Sequence, residues 1–345
     1  MTSTSLRPIS ARDMQHAVSG VGGLPIEQSQ QWEEFSAAQG HPLWAGELGR
    51  LAWYENDKCI AVIALFEYKL RALRYLWAKS GPVWIREATP EREECLRKDL
   101  LKFVRSRDRG IVFIRLHSWF AAKDLEEPLQ IVTYDRTVII ETGRGDRDAV
   151  LESLTNDGRR TLRRSTKKAD EFGVQIHEET EAASVDFSPY YEVLKQTAER
   201  DGFRPHPIGY YQSLLRTLGS QHARVFTART QDNEILCWDL VLLNGKNAQA
   251  EYGASSDRGR RLGSPAFLDV EVAILLGSEG FKGFDLRGIH SPRNSTLFHV
   301  GRYKLAFATS YTDVAGAWDL PVSRPQYITV RSLLNVKRKL RRVSR

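Results

Sequence analysis

The same order of structural patterns occurs twice along this chain of 345 residues, and the repetition limits the folds open to it. In each half, two β-rich runs flank an Asn/Asp turn, and a third β-rich run, a helix and a late strand follow. The first copy has these elements at 50–65, 74–78, 90–107 and 111–116, and the second at 224–241, 248–253, 265–279 and 283–287. The sequence therefore predicts two α/β domains of similar topology, with mixed sheets flanked by helices.

Composition points to a globular protein with an anionic partner. The chain is 41% apolar and 10% aromatic, which is typical of folded domains. Its formal net charge of +7 favours nucleic acid, phosphate or an anionic membrane surface as a partner. Three cysteines without a CxxC pair indicate reduced thiols. Since the N-terminus also lacks a signal-peptide core and no apolar run could span a bilayer, we expect a soluble cytoplasmic protein.

Two stretches concentrate positive charge. The segment 159–168 carries six cations, Arg159, Arg160, Arg163, Arg164, Lys167 and Lys168, several of them at i,i+4 spacing on a predicted helix. Like charges so placed repel one another, so the segment is either a solvated helix face or a stripe that tracks RNA phosphates. The C-terminal segment 337–345 carries six more cations. It could contact tRNA or anionic lipid headgroups, or be a plain tail, and the sequence does not separate these readings.

The repeated order of elements resembles the GNAT acyltransferase fold, whose enzymes hold acyl-CoA pyrophosphate at a glycine-rich helix N-terminus. The best match to such a turn is Arg260-Arg261-Leu262-Gly263-Ser264-Pro265. Its sixth residue is proline, which has no N–H to offer a phosphate oxygen. The sequence therefore predicts that CoA is not the cofactor. Histidines and cysteines are scattered without ligand spacing, so no metal is expected either.

Several short motifs occur in a characteristic order. They are Gln28-Ser29-Gln30-Gln31-Trp32, the basic segment, Arg200-Asp201-Gly202-Phe203, Tyr252-Gly253-Ala254-Ser255-Ser256-Asp257, Tyr303-Lys304 and Trp318-Asp319-Leu320-Pro321. In this order they resemble the FemABX family, over about residues 25–322. FemABX enzymes carry two GNAT-like domains and move an amino acid from aminoacyl-tRNA onto an amine of a peptidoglycan precursor.

The resemblance implies roles for individual residues. Lys304, after Tyr303 in place of the usual Phe, would be the catalytic cation that stabilises the oxyanion or the tRNA terminus. Tyr210 and Tyr252 would line the acceptor site, and the basic segment would bind tRNA. Trp32 would wall the acceptor cleft or, alternatively, anchor the core. The family's phosphate-gripping Arg is replaced by His206, which is flanked by Arg204. A mostly neutral imidazole is a poor bidentate phosphate ligand, so Arg204 would substitute or the acceptor would differ.

The domain organisation also follows the resemblance. Residues 141–148 break the apolar pattern, and the family's last segment packs back on the first domain. We predict domain 1 at 1–142 plus 314–345, on the acceptor side, and domain 2 at 143–313, on the aminoacyl-tRNA side. There is no room for a long coiled-coil insertion, which makes the chain similar to the compact FemX type.

The sequence thus predicts an aminoacyltransferase that uses aminoacyl-tRNA as co-substrate, needs no cofactor and builds the interpeptide bridge of peptidoglycan. One alternative keeps the chemistry but changes the acceptor to a peptide of antibiotic biosynthesis, such as a peptidyl-nucleoside. Another is a non-catalytic RNA-binding protein that uses the basic helix.

Overall fold

The computed structural model describes residues 3–70, 73–129 and 133–343, with side chains described as far as residue 334. The strands are β1 (Thr4–Pro8), β2 (Arg50–Glu55), β3 (Lys58–Ala64), β4 (Phe66–Leu70), β5 (Leu73–Trp77), β6 (Val83–Trp84), β7 (Ile111–Ser118), β8 (Arg136–Glu141), β9 (Gln175–Glu178), β10 (Ala223–Arg229), β11 (Ile235–Asn244), β12 (Asn247–Ser255), β13 (Gly283–Gly288), β14 (Thr312–Asp313) and β15 (Gly316–Pro321). The α-helices are α1 (Ala11–Ala17), α2 (Gln30–Ala38), α3 (Pro90–Arg107), α4 (Arg147–Ser153), α5 (Asn156–Glu171), α6 (Thr180–Val185), α7 (Ser188–Asp201), α8 (Ile208–Leu218), α9 (Asp257–Leu262), α10 (Ser264–Ser278), α11 (Phe298–Lys304) and α12 (Arg324–Val343).

The chain divides into two compact units, as the repeat suggests. Unit 1 comprises residues 1–133 and 315–345, and unit 2 comprises 134–314. The sequence placed the first boundary at residue 142, but β8 already belongs to unit 2. Its apolar residues pair with β13 of that unit, Ile139 with Asp285 and Ile140 with Phe284. The second boundary coincides with the predicted return of the chain near residue 314.

Unit 1 contains two four-stranded sheets, with orders β1-β2-β3-β6 and β15-β7-β5-β4. The predicted hairpin of β2 and β3 is present and turns through Asn56 and Asp57, which both adopt positive φ. The third run of the repeat, β5, instead lies in the second sheet, where it pairs in parallel with β7. The sequence did not predict β4, which pairs with β5. Helix α3 contributes Leu96, Leu100 and Val104 to the core.

Unit 2 is built on one seven-stranded sheet, in the order β14-β8-β13-β12-β11-β10-β9. Strands β10, β11 and β12 are antiparallel, and β12 runs parallel to β13. Helix α10 crosses over between these parallel strands and is largely apolar, burying Leu268, Val272 and Leu276. Elements β10 to β13 are those predicted from the repeat, with ends that differ by at most a few residues.

The mixed α/β class is confirmed, with mixed sheets flanked by helices. The described part of the chain shows no long helical-hairpin insertion, since its longest helices are α3 and α12. Helix α8 ends at Leu218 with Gly219 as its C-cap, as its sequence indicates.

Candidate functional site

A cavity of about 490 Å³ lies within unit 2, and the side chain of Lys304 lines it. Strands β11, β12 and β13 and helices α7, α10 and α11 contribute its walls. Its charged and hydrogen-bonding side chains include Asp239, Glu251, Asp269, Arg287, Tyr303 and Lys304. The cavity therefore brings together Tyr303 and Lys304, which the sequence assigned to catalysis, and Tyr252, which it assigned to substrate binding. It adds several acidic groups to them.

Lys304 is the last residue of α11, a helix that packs tightly against the segment after β13. Gly301 in this helix makes the close approach possible, because a Cβ there would overlap the Nδ1 atom of His290. The Lys304 Nζ atom donates a hydrogen bond to the carbonyl oxygen of Gly288 at 3.1 Å. Burial lowers the pKa of Lys304 to about 8, although the charges of Asp269 and Asp285 oppose this shift.

Tyr303, which precedes the cation in α11, contacts one of two neighbouring carboxyl groups. The residue is 37% exposed overall, but its hydroxyl group donates a 2.5 Å hydrogen bond to Oδ2 of Asp269. Asp269 is 7% exposed and is itself hydrogen-bonded to Asp239. A phenylalanine at position 303 could not make the first of these contacts.

The two carboxyl groups titrate as a coupled pair. Burial raises the pKa of Asp269 to about 6, while the hydrogen bond from Tyr303 counteracts the shift. Burial, and then the charge of Asp269, raise the pKa of Asp239 well above its usual range. A hydrogen bond between two carboxyl groups needs one proton, and the larger rise in the pKa of Asp239 places this proton mainly on Asp239.

Further charges at the cavity occupy neighbouring strands. The Asp285 carboxylate on β13 accepts a hydrogen bond from the Thr137 hydroxyl group. It accepts a second one, at 2.6 Å, from the backbone N–H of Arg287 on the same strand. Arg287 has a φ of 68° and forms a 3.1 Å ion pair with Glu251 on β12. Asp239, Asp269, Asp285 and Arg287 were not among the site residues predicted from the sequence. An available signal was their position within apolar segments, since charged residues there are rarely buried unless paired.

Tyr252, Tyr210 and His206 form an aromatic group beside this cavity. The Tyr210 and Tyr252 hydroxyl groups are 3.1 Å apart, and the His206 imidazole stacks on Tyr210 with centroids 4.1 Å apart. The structure thus brings together three residues that the sequence assigned to substrate binding. Arg204 is exposed and forms no ion pair with any described residue. At position 206, where the FemABX pattern has a phosphate-gripping Arg, this protein therefore has an imidazole ring stacked on Tyr210.

Trp32 belongs to unit 1 and is 2% exposed. Its ring meets Phe35 edge-on at 5.1 Å, and Lys79 Nζ lies 5.2 Å from its centroid. Its indole Nε1 is buried without a hydrogen-bond partner. The sequence left two roles open for this ring, a wall of the acceptor cleft or an anchor of the core. Its burial favours the second role and corrects the assignment of Trp32 to substrate binding, because a side chain so fully covered is a core residue.

The basic segment forms α5, a strongly amphipathic helix. Leu162, Ser165 and Ala169 face the interior, whereas Arg160, Arg163, Arg164, Lys167 and Lys168 are exposed. Arg163, Arg164 and Lys167 form no ion pair with any described residue, but Arg160 pairs with Asp157 at 2.6 Å. Arg159 differs from the rest because its guanidinium donates to the carbonyl oxygens of Leu151, Glu152 and Leu154. It terminates α4 and is not free for phosphate, which corrects its assignment as an RNA contact.

Helix α5 also covers the turn at residues 260–265, which is the best match to the pyrophosphate-binding turn of GNAT enzymes. Lys168 Nζ donates to the carbonyl oxygen of Arg261 at 2.5 Å, and a Cβ at Gly263 would overlap the Oγ atom of Ser165. Ser264, at the start of α10, is buried. With Pro265 at the first turn of this helix, the N-terminus presents few accessible N–H groups to an anion.

Comparisons with known proteins define the class of fold. Residues 156–305 match the model of the acetyltransferase (GNAT) domain family. The crystal structure of FemX is similar over 94% of this chain and 99% of its own, with a TM-score of 0.71 and 15% identity. This chain therefore has the tandem GNAT-like fold of FemX.

Two further solved structures share the fold more distantly. One is the C-terminal domain (DUF2156) of a protein described as a lysylphosphatidylglycerol synthetase from Agrobacterium fabrum. It is 14% identical over 94% of this chain and 95% of its own, with a TM-score of 0.54. The other, L-PGS from Bacillus licheniformis, is 12% identical over 90% of this chain and 98% of its own, with a TM-score of 0.50. A search of curated protein sequences found no significant match.

Two further findings concern membranes and metals. Within the described ranges, no helix is both long enough and apolar enough to span a bilayer. In the same part of the chain, no group of three His, Cys, Asp or Glu side chains is arranged to hold a metal ion. The basic segment 337–345 lies outside the described side chains.

Proposed function

We propose that this protein is an aminoacyltransferase that moves an amino acid from aminoacyl-tRNA to an amine of a peptidoglycan precursor. The observation that carries the proposal is the half-buried ammonium group of Lys304, which lines a cavity of about 490 Å³ within a unit of the FemX type of fold. Aminoacyl transfer passes through a tetrahedral oxyanion, and a fixed cation in partly desolvated surroundings stabilises such a charge. The ester of aminoacyl-tRNA is already activated, so no covalent enzyme intermediate is required.

The donor in this proposal is RNA, which binds on unit 2. Arg163, Arg164 and Lys167 are exposed on α5 and lack protein partners among the described residues, so they are available to phosphate groups. Acyl-CoA is a less suitable donor, because α5 covers the turn before α10 and Pro265 removes an N–H group there. The protein then needs no cofactor beyond its tRNA co-substrate. The acceptor-site candidates that lie together, His206, Tyr210 and Tyr252, also belong to unit 2.

The acceptor has a second candidate, which His206 favours. The imidazole stacks on Tyr210 and next to Tyr252, an arrangement suited to a flat or apolar group more than to a diphosphate. A peptide of antibiotic biosynthesis, such as a peptidyl-nucleoside, would lack the nucleotide diphosphate of a cell-wall precursor. The transfer chemistry is the same for both acceptors.

One assay tests these assignments. The purified protein is incubated with radiolabelled aminoacyl-tRNA and candidate acceptors, and ribonuclease is added to a parallel sample. Ribonuclease-sensitive transfer of label to a lipid-linked or nucleotide-linked muropeptide is the expected result. Transfer to small peptides alone would favour the second acceptor class. Retention of tRNA without transfer to any acceptor would contradict the enzymatic proposal and favour a non-catalytic RNA-binding protein.

A further inference from the structure

Lys304 keeps its charge in surroundings that disfavour a cation. Its ammonium group lines the cavity with one protein hydrogen bond, from Nζ to the Gly288 carbonyl oxygen at 3.1 Å. None of the described carboxylates lies within ion-pair distance of it, so it depends on charges acting through space. Desolvation alone would favour the neutral amine, which could not stabilise an oxyanion.

The charged and titratable groups around Lys304 come from several elements. Strand β11 contributes Cys237 and Asp239, β12 contributes Glu251 and Tyr252, β13 contributes Asp285 and Arg287, α7 contributes Arg200 and Asp201, and α10 contributes Asp269. Many of these charges are already engaged. Arg287 pairs with Glu251, Arg200 pairs with Asp201 at 3.0 Å, and Asp285 accepts bonds from Thr137 and Arg287 N. Neither Asp269 nor Asp285 has a cationic partner within ion-pair distance among the described residues. Of these two, Asp269 is the one hydrogen-bonded to α11, the helix that carries Lys304.

Asp269 is held by donors on both sides. The Tyr303 hydroxyl donates to its Oδ2 atom at 2.5 Å, and Asp239 shares a proton with it. Both contacts stabilise the ionised form of Asp269, because each offers a hydrogen to a carboxylate oxygen. Tyr303 directly precedes Lys304 in α11, so the helix that carries the cation also carries a donor to the carboxylate.

We propose that Tyr303, Asp269 and Asp239 form a charge-setting triad that keeps Lys304 protonated within the cavity. Asp269 is its ionised member, Asp239 is its proton-carrying member and Tyr303 orients the pair. All three are positioning residues, since they act through Lys304 and not on substrate. The proposal deepens the proposed function and rests on it for the catalytic role of Lys304, but the charge of Lys304 can be measured without any transfer reaction.

The test measures the protonation of Lys304 directly. The intact protein is treated briefly with acetic anhydride over a series of pH values, and modification of Lys304 is quantified by peptide mass spectrometry. Only the neutral amine reacts, so the wild-type midpoint should fall near the pKa of about 8. In Asp269→Asn the midpoint should move to lower pH, by on the order of one pH unit.

Two variants separate charge from shape. Asp239→Asn replaces a protonated carboxyl by a neutral amide that can still donate to Asp269, so its midpoint should stay within a few tenths of a unit of wild type. Tyr303→Phe removes one donor to Asp269 and should shift the midpoint to lower pH by less than Asp269→Asn does. Thermal unfolding checks that each variant is folded. If Asp269→Asn does not fold, Tyr303→Phe carries the test.

The acetylation midpoints of the variants decide whether the triad exists. Coincident midpoints for wild type and Asp269→Asn would overturn the triad, as would an Asp239→Asn shift as large as that of Asp269→Asn. An unshifted Tyr303→Phe would overturn the role of the hydroxyl group and, where Asp269→Asn does not fold, the triad. If the midpoints shift as expected but the protein transfers no aminoacyl group, the proposed function is wrong and the triad is supported. If the protein is active but the midpoints do not shift, the triad is wrong and the proposed function is unaffected.

Discussion

Lys304 combines two properties at the scale of a single residue: it is partly removed from water, and the loss of hydration lowers its pKa to about 8. A lysine with this pKa is protonated at pH 7 and loses its charge as the pH rises through 8. Transition-state stabilisation that depends on this ammonium group should therefore be present at pH 7 and decrease as the pH rises through 8.

Replacing Lys304 by Met should lower kcat for aminoacyl transfer by about 10²–10³-fold, because one preorganised donor to the oxyanion is lost. Steady-state kinetics with saturating aminoacyl-tRNA would measure this change. The exposed loop residue Lys246 provides the control, and Lys246→Met should retain wild-type rates. Equal activity of Lys304→Met and wild type would exclude Lys304 from the chemistry.

At the scale of elements, the packing of α5 depends on one glycine. The helix begins at Asn156, capped by Thr155, and its first turn rests against the segment after Lys304. The Thr155 hydroxyl donates to the Ala306 carbonyl oxygen at 2.8 Å, and a Cβ at position 158 would overlap this same oxygen. The basic helix is thereby joined to the segment that follows the candidate catalytic cation.

Gly158→Ala should destabilise the protein by about 1–3 kcal/mol, because the added methyl group meets backbone atoms that cannot move away easily. Urea unfolding would give the change in free energy. Gly209 lies in the first turn of α8 with no atom near its missing Cβ, so Gly209→Ala is the matched control and should be neutral or slightly stabilising. Equal stability of the two variants would show that the approach of α5 to residue 306 is not tight.

The exposed cations of α5 should act through phosphate contacts. Combined replacement of Arg163, Arg164 and Lys167 by Ala should weaken tRNA binding. It should also reduce the slope of log affinity against log salt by about 2, if each contacts one phosphate of single-stranded RNA. Filter binding over a range of salt concentrations would measure both quantities. Arg159→Ala should instead lower the melting temperature and leave the salt slope unchanged, because Arg159 bonds to the carbonyl groups at the end of α4. An unchanged slope in the triple variant would contradict the RNA assignment of this helix.

At the scale of the whole molecule, unit 1 is assembled from two separate parts of the chain. Strand β15, after unit 2 in sequence, pairs with β7 along its whole length, from Gly316 opposite Ser118 to Pro321 opposite Phe113. Within this pairing, the buried Asp319 accepts from Arg115 at 2.7 Å, from Leu129 N at 2.9 Å and from the Tyr327 hydroxyl at 3.1 Å. One carboxylate thus connects β7, the segment around residue 129, β15 and α12.

Asp319→Ala should destabilise unit 1 by about 3–5 kcal/mol, because it leaves the Arg115 guanidinium buried and without its counter-charge. Denaturant unfolding followed by tryptophan fluorescence would detect the loss. Asp313 makes an exposed ion pair with Arg136, so Asp313→Ala should change stability by no more than about 0.5 kcal/mol. Similar effects of the two substitutions would show that the buried pair does not hold the C-terminal strand.

The sequence by itself determined most elements of the two repeats and their order along the chain, although not β4. Hairpin turns at Asn56 and Asn233, the helix stop at Gly219 and the apolar run of α10 are local signals, because turn chemistry and hydrophobic periodicity act over a few neighbouring residues. The FemABX resemblance added the tandem organisation and directed attention to Lys304 and Tyr252, which the structure brings to one cavity.

Only the tertiary structure decided what surrounds those residues. Asp239 and Asp269 lie on different elements, and their hydrogen bond depends on how α10 packs across β11. The same is true of Trp32, whose burial comes from its neighbours, and of Arg159, whose partners belong to the preceding helix. Burial, shared protons and shifted pKa values arise from contacts between segments distant in the chain, and no local pattern of residue types records them.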